Sequence, residues 1–342
     1  MTSSKFQTVE SVVSCAAGPI LVVSTVVGRG MYTLAEAVIQ RFPKNVEVHH
    51  IAIEDYVSPE VVQEDLKRYK WISSRFPILL HLVYRIPLFY MRKYLRERAF
   101  KSSNLSALGK KIDEVNPATV VCVSHRPAFW VGNLKNRRGL SFKLWGLLGE
   151  YGKNLGWRYQ FWSEFDLFLS PVDREELGFS LNPAVDFRKI ELPARLEYLE
   201  LADRPGRRDQ ILLVCGYWGQ GPLEKILRSL LLTHPKIHVH VVCGENEKVF
   251  RRLQTQFEDH PRVSVSGVVD SLVPYLRECG SVITKPGIST LLEAQAAARK
   301  IFLIPGMPVA EDNNARYARQ EFHAIDFSLS SFQEWYSRAA ER

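Results

Sequence analysis

Ser289, Thr290 and Glu293 stand where a predicted helix begins, just past the break Lys285-Pro286-Gly287. The apolar run Gly280 to Thr284 leads into the break as a buried strand. Leu291 to Ala298 is a strong helix-forming run, and Lys300 to Ile304 reads as the next strand, ending at Pro305-Gly306. Strand, glycine turn, helix and strand make a βαβ unit. Its turn leaves backbone N–H groups at a positive helix end, a setting that favours an anion such as a phosphate. Glu293, three residues past Thr290, lies within reach of whatever the turn holds, and its carboxylate can accept hydrogen bonds from sugar or ribose hydroxyls. The local pattern alone also fits a plainer reading, with Ser289 as an N-cap and Glu293 as an ordinary first-turn acid.

The first half of the chain repeats the arrangement. The strand Pro19 to Ser24 is followed by Gly28-Arg29-Gly30-Met31 and a helix over Thr33 to Phe42. A lone G-x-G is by itself only a tight turn, although Arg29 could meet a phosphate. Val46 to Ile53 alternates as a strand and ends near Glu54-Asp55. Ser106 to Val115 reads as a helix, and the strand Pro117 to Val123 ends in Ser124-His125-Arg126-Pro127. Open α/β sheets gather ligands at the carboxyl ends of their strands, so His125 is well placed for chemistry; a satisfied turn histidine fits equally. His125, with Glu36 and Asp55 behind it, is the candidate to take a proton from a reacting hydroxyl. Trp157, Phe161, Trp162 and Phe165 precede a strand at Leu167 to Ser170, and either line an acceptor cleft or fill the core.

The second half carries further glycine turns after apolar strands. Gln210 to Cys215 leads into Gly216-Tyr217-Trp218-Gly219 and a helix from Leu223 to Leu232. Ile237 to Cys243 leads into Gly244-Glu245-Asn246 and a helix from Glu247 to Phe257. Val263 to Ser266 leads into Gly267-Val268-Val269-Asp270 and a short helix from Leu272 to Cys279.

Taken in order, these stretches resemble glycosyltransferase family 28 in its glycolipid branch, which holds the monogalactosyldiacylglycerol synthases and the processive diacylglycerol glucosyltransferases. The family pattern K-P-G-G-x-T-x-x-E-A is followed by P-G-Q-E-x-x-N-A. Lys285, Pro286, Gly287, Thr290, Glu293 and Ala294 fit the first part, and Pro308, Glu311, Asn314 and Ala315 fit the second. Ile288 replaces the second glycine, and Val309-Ala310 replaces the Gly-Gln. The resemblance is specific over roughly 210–315, diffuse over 18–130 and faint between 135 and 205. It implies that Gly287, Ser289 and Thr290 take a diphosphate, that Glu293 takes the ribose, and that Glu311 and Asn314 face the sugar. Gly216, Tyr217, Gly244 and Lys285 would lie near the diphosphate, and Val268 and Val269 would frame the base. The family's loop in the first half ends in histidine where this chain has Met31, which cannot act as an acid or base.

Length and charge fit this reading. A chain of 342 residues, 46% apolar and 24% charged, holds two soluble α/β domains. Residues 1–195 contain 27 Lys and Arg against 19 Asp and Glu, and residues 196–342 contain 18 of each, so the net +8 belongs to the first part and suggests an anionic partner there. Its source is Lys67 to Lys101, with ten basic residues against Glu97 alone and an apolar, aromatic centre from Phe76 to Met91. Two prolines and Arg85 make this a poor spanning helix. Trp71, Arg75, Tyr84, Arg85, Tyr90, Arg92 and Lys93 suit a segment lying among anionic headgroups; a helical hairpin in the core is the alternative. The sequence carries no recognised nucleic-acid motif, and nucleic acid is not an expected partner. Five scattered cysteines with no C-x-x-C pair point to free thiols in a reducing compartment, and Ile20 to Val27 is a first strand rather than a signal peptide.

The expected architecture is α/β: two Rossmann-like domains facing a cleft, the GT-B arrangement. Residues 1–195 form an acceptor- and membrane-facing domain, 196–330 a nucleotide-sugar domain, and 331–342 a helix packing back on the first domain. The expected reaction moves a hexose from a UDP-sugar, as co-substrate and without cofactor or metal, to a diacylglycerol-like or other hydroxyl acceptor, with inversion. The expected place is the cytoplasmic face of a membrane. A transferase for a soluble specialised acceptor, a nucleotide-sugar hydrolase or epimerase, and a non-catalytic nucleotide-sugar-binding subunit remain as alternatives.

Overall fold

The computed structural model describes residues 7–56, 105–306 and 310–338. The basic aromatic segment 67–101, with all seven membrane candidates named above, lies outside them, as do Pro308 and Val309. Contacts divide the chain into two units. One runs up to Pro193 and takes in the short segment ending at Asn313. The other runs from Ala194 to Gly306 and resumes at Asn314. Among the described residues no helix is long and apolar enough to cross a membrane.

The first unit is built on six parallel strands: β1 (Ile20–Ser24), β2 (Val48–Ala52), β3 (Thr119–Val123), β4 (Lys143–Leu147), β5 (Leu167–Ser170) and β6 (Asp186–Lys189), in the order β2-β1-β3-β4-β5-β6. β1, β3 and β5 are buried along their whole length, which a parallel sheet demands because crossover helices cover both faces. Helix α1 (Val9–Val13) is capped by Thr8. Helices α2 (Gly30–Ile39), α3 (Ser106–Val115) and α4 (His125–Arg138) are the crossovers. Trp157 and Phe165 are core residues here, with Phe161 and Trp162 packed against them, so the core reading of these aromatics holds.

The linker turns through α5 (Leu196–Leu199) into the second unit. Its strands are β7 (Arg207–Val214), β8 (His238–Val242), β9 (Val263–Ser266), β10 (Cys279–Thr284), β11 (Lys300–Leu303) and β12 (Ile325–Asp326), in the order β12-β11-β10-β7-β8-β9, again all parallel. Its helices are α6 (Leu223–Thr233), α7 (Glu247–Phe257), α8 (Val273–Glu278), α9 (Ile288–Ala296), α10 (Ala310–Glu321), which belongs to this unit from Asn314 onward, and α11 (Leu329–Ser337). Alternate residues of one strand serve opposite cores. Leu212 and Val214 point to the side of α5, α8, α9 and α10, whereas Ile211 and Leu213 point to the side of α6, α7 and α11.

The tail helix corrects an expectation. α11 belongs to the second unit, not the first. Phe332, Trp335 and Tyr336 recur at helical spacing, and that face meets Phe302 and His234; Phe332 is fully buried, with its ring centroid 5.3 Å from that of Phe302.

Candidate active site

In each sheet the chain winds outward from its first strand and then returns to that strand's other side, after β2 in the first unit and after β9 in the second. The switch lies between β7 and β10 in the second unit and between β1 and β3 in the first. In open parallel sheets the crevice at such a switch, beyond the carboxyl ends of the strands, is where ligands bind.

In the second unit the loops flanking the switch are 215–222 after β7 and 285–287 after β10. Gly216 has φ +68, and a Cβ there would lie 2.6 Å from Lys285 Cε, so the lysine side chain runs flat across the glycine. The loop after β8 is stitched to the loop after β7: Glu245 N–H donates to Tyr217 O at 2.7 Å, and Asn246 Nδ2 donates to Gly219 O at 3.0 Å. α9 starts without a side-chain cap; Gly287 is its N-cap residue, and Ser289 and Thr290 follow inside the first turn. Ser289 is therefore not the cap. The first N–H groups of a helix have no intrahelical acceptor, and here they open at the switch. Val268 and Val269 lie past the end of β9, and Val268 is 50% exposed.

Two expected ligand residues sit deeper. Asn314 is 2% exposed, and its amide donates to Pro286 O at 3.2 Å, which pins the turn that follows β10. Glu293 is 4% exposed and accepts from Arg195 Nη2 at 2.8 Å; the same guanidinium donates to Tyr198 Oη at 2.9 Å. Tyr198 Oη in turn accepts from Leu272 N–H at 3.0 Å. Burial lifts the Glu293 carboxyl to about 7, with Arg195 and Tyr198 pulling it back. Burial also works against the charge on Arg195, but Glu293, Tyr198 and Glu197 outweigh it and the guanidinium is held protonated. Thus the ribose candidate is tied into the linker helix. Glu311 falls with the first unit in the contact division, while Asn314 falls with the second.

In the first unit the loop after β1 is anchored by an acid to which the sequence alone assigns no role. Glu54 takes Thr25 Oγ1 at 2.5 Å and Val26 N–H at 3.1 Å. Gly28 and Arg29 both turn through positive φ, +70 and 58, before α2 starts at Gly30. Glu54→Ala removes both anchors and is expected to lower stability by about 1–3 kcal/mol, read as a shift in urea midpoint at unchanged slope. Ser24 Oγ lies 2.8 Å from His50 Nε2, and burial lowers His50 to about 4, which leaves it neutral under Tyr32.

Met31 lies against the end of β4: a Cβ on Gly149 would stand 2.6 Å from its Sδ. Next in the chain is Glu150, whose carboxylate accepts from Asn154 Nδ2 at 2.9 Å. Asn154 Oδ1 accepts from Gly156 N–H at 2.9 Å, and a Cβ on Gly156 would fall 2.4 Å from the His125 ring. Gln160 closes the turn by donating to His125 O at 3.1 Å and Gly156 O at 3.0 Å. His125 itself is launched from Ser124, whose φ of 111 and ψ of 152 lie in a region almost reserved for glycine. Such strain concentrates where a side chain must be aimed. The structure therefore brings Met31, Glu150 and His125 around one corner. Glu36 lies farther along α2, and Asp55 is exposed on the turn Ile53–Tyr56 after β2. Burial raises the Glu150 carboxyl to about 7.

No family model matches the chain. It is 26% identical over 218 residues to the processive diacylglycerol beta-glucosyltransferase of Bacillus cereus (strain G9842), covering 60% of this chain and 55% of that relative, so the match spans about half of the relative's length. The protein of the same name from Bacillus cytotoxicus (strain DSM 22905 / CIP 110041 / 391-98 / NVH 391-98) is 24% identical over 325 residues, 90% of this chain and 81% of that one. Among solved structures, MurG of Acinetobacter baumannii superposes with a TM-score of 0.54 at 13% identity, covering 94% of this chain and 91% of MurG. The glycotransferase of kitacinnamycin superposes at 0.50 with 12% identity, covering 91% of this chain and 86% of its own. The fold is GT-B. The glycolipid resemblance that the motifs carry is borne out by the names of these relatives. Each unit of this GT-B chain supplies one parallel sheet, and each sheet presents its glycine loop at its own switch point.

Proposed function

We propose that this chain is a glycosyltransferase that moves a hexose from a UDP-sugar to a hydroxyl acceptor, with a diacylglycerol-like lipid as the acceptor class. The observation that carries the reading is the pair of loops at the second unit's switch point, where Lys285 lies across Gly216 beside the uncapped start of α9. A nucleoside diphosphate suits that place: its charge meets backbone N–H groups and an ammonium, and charge developing on the departing diphosphate would be stabilised as an oxyanion is, without a metal. Val268 offers an apolar edge for a base. The glycolipid relatives support a lipid acceptor, and the basic segment 67–101 supports contact with an anionic membrane surface. Inversion at the anomeric carbon follows from a single displacement.

The test is UDP release from a panel of UDP-sugars, with and without anionic vesicles containing diacylglycerol. Lipid-dependent release with one sugar is the expected result. Release that ignores lipid would replace the acceptor with water or a soluble molecule. UDP binding without release from any sugar would leave a nucleotide-sugar-binding subunit, the reading that Met31 permits.

A further inference from the structure

In a chain whose glycine loop ends in Met31, the group that takes the acceptor's proton has to come from elsewhere. We propose that Glu150 is that base: its carboxylate stands at the carboxyl end of β4, between Met31 and His125, and is held by Asn154 on the turn that also seats the His125 ring. The assignment rests on the transferase reading above.

Three observations favour Glu150 over the other groups nearby. First, its position is built. Met31 Sδ and Leu34 Cδ2 occupy the space where a Cβ on Gly149 would be, at 2.6 and 2.8 Å, so the residue before Glu150 is fixed against α2. Asn154 then donates to the carboxylate with its amide and caps Gly156 with its carbonyl, so one side chain sets the geometry on both sides of the turn. Second, His125 is the first residue of a 14-residue helix, so the positive end of α4 lies at this corner. A carboxylate has the charge that such a corner favours. Third, the neighbourhood leaves Glu150 basic enough to serve. Ionisable groups on the surrounding elements include Arg29, Tyr32 and Glu36 around α2, His125 and Arg126 on α4, Tyr151 and Lys153 on its own turn, and Glu311. Among them Glu311 is the one that acts on Glu150, as a like charge, and it adds to the effect of burial in lifting the carboxyl to about 7. A base poised near neutrality is what general-base catalysis uses.

The step balances as follows. The acceptor O–H bond breaks and its proton passes to Glu150. The acceptor oxygen forms the bond to the anomeric carbon, the bond from that carbon to the diphosphate oxygen breaks, and its electron pair leaves with UDP. Glu150 then returns the proton to solvent.

The experiment compares the full-length wild-type chain with Glu150→Gln and Glu150→Asp in UDP release from UDP-glucose with diacylglycerol-containing anionic vesicles, from pH 5.5 to 9, alongside calorimetric UDP binding. The expected result is wild-type kcat rising with pH through about 7. Glu150→Gln should lose roughly 10²–10⁴-fold in kcat and lose that limb of the profile, with UDP affinity unchanged. Glu150→Asp, which keeps a carboxylate on a shorter stem, should recover part of the rate and the limb together. A Glu150→Gln chain that turns over within a few-fold of wild type, or that keeps the same limb, overturns this assignment alone. A wild-type chain that binds UDP and releases none overturns the transferase reading and this assignment with it.

Discussion

Glu293→Ala is expected to lower the stability of the second unit by about 3–5 kcal/mol, because it takes from a buried guanidinium its buried carboxylate and leaves it the half-exposed Glu197. The loss is large because everything around the pair has been arranged for it. Arg195 lies 2.8 Å from Glu293, and the side chains are 14% and 6% exposed. Tyr198, which shares the guanidinium, also holds the N–H of Leu272 at the start of α8, so the change propagates along the side of the sheet that α5, α8 and α9 cover. Removing both charges should be far milder than removing one, since no ion is then stranded. The double variant Arg195→Met, Glu293→Gln is therefore expected to regain most of the stability in urea unfolding. It is not expected to regain UDP affinity if the carboxylate also serves the ribose. Glu293→Ala with an unchanged unfolding midpoint and abolished UDP binding would make Glu293 a ligand group and nothing more.

That pair also shows where reading the sequence stops. The strand–turn–helix of 280–296 is legible because all its signals are local: an apolar run, Pro-Gly, then helix formers. The same holds for α7, whose bounds Glu247–Phe257 match the pattern, and for α3 at Ser106–Val115. The partner of Glu293 stands 98 residues away, beyond any local pattern. α11 shows the same limit differently: the spacing of Phe332, Trp335 and Tyr336 reveals an apolar face but not which sheet receives it. β4 goes unassigned because Gly146 interrupts its apolar run. In the fold that glycine makes room, since a Cβ there would lie 2.9 Å from Phe168 and 3.1 Å from Trp157. With β4 missed, Glu150 past its end is missed too, although a polar residue just past an apolar strand is the pattern that singles out His125 and Lys285 elsewhere. Glu54 is legible only as an acid near the end of a strand; its bonds to Thr25 and Val26 depend on β1 and β2 being neighbours.

Gly244→Ala is expected to cost at least about 2 kcal/mol and to weaken UDP binding roughly tenfold or more, the equivalent of about 1.4 kcal/mol or more. Two effects add at this position. Gly244 has φ +57, which an alanine adopts only with strain, and its Cβ would stand 2.1 Å from Tyr217 O and 2.9 Å from Gly216 O. Both neighbours are backbone, so neither can rotate away. The loop after β7 would have to retreat, taking with it the Gly216 surface on which Lys285 lies and breaking the 2.7 Å bond from Glu245 N–H to Tyr217 O. Gly139 separates the two effects. It has φ +63 at the end of α4, and nothing lies within 4 Å of a Cβ there. Gly139→Ala should therefore show only the backbone strain, about 1 kcal/mol, and leave UDP binding alone. Equal losses of stability at both glycines, with UDP affinity intact in both, would mean that the loop after β7 yields without harm and is not what holds the diphosphate. A large loss of affinity at Gly244 alone would tie the donor to the β7–β10 switch through the two carbonyls that a methyl group displaces.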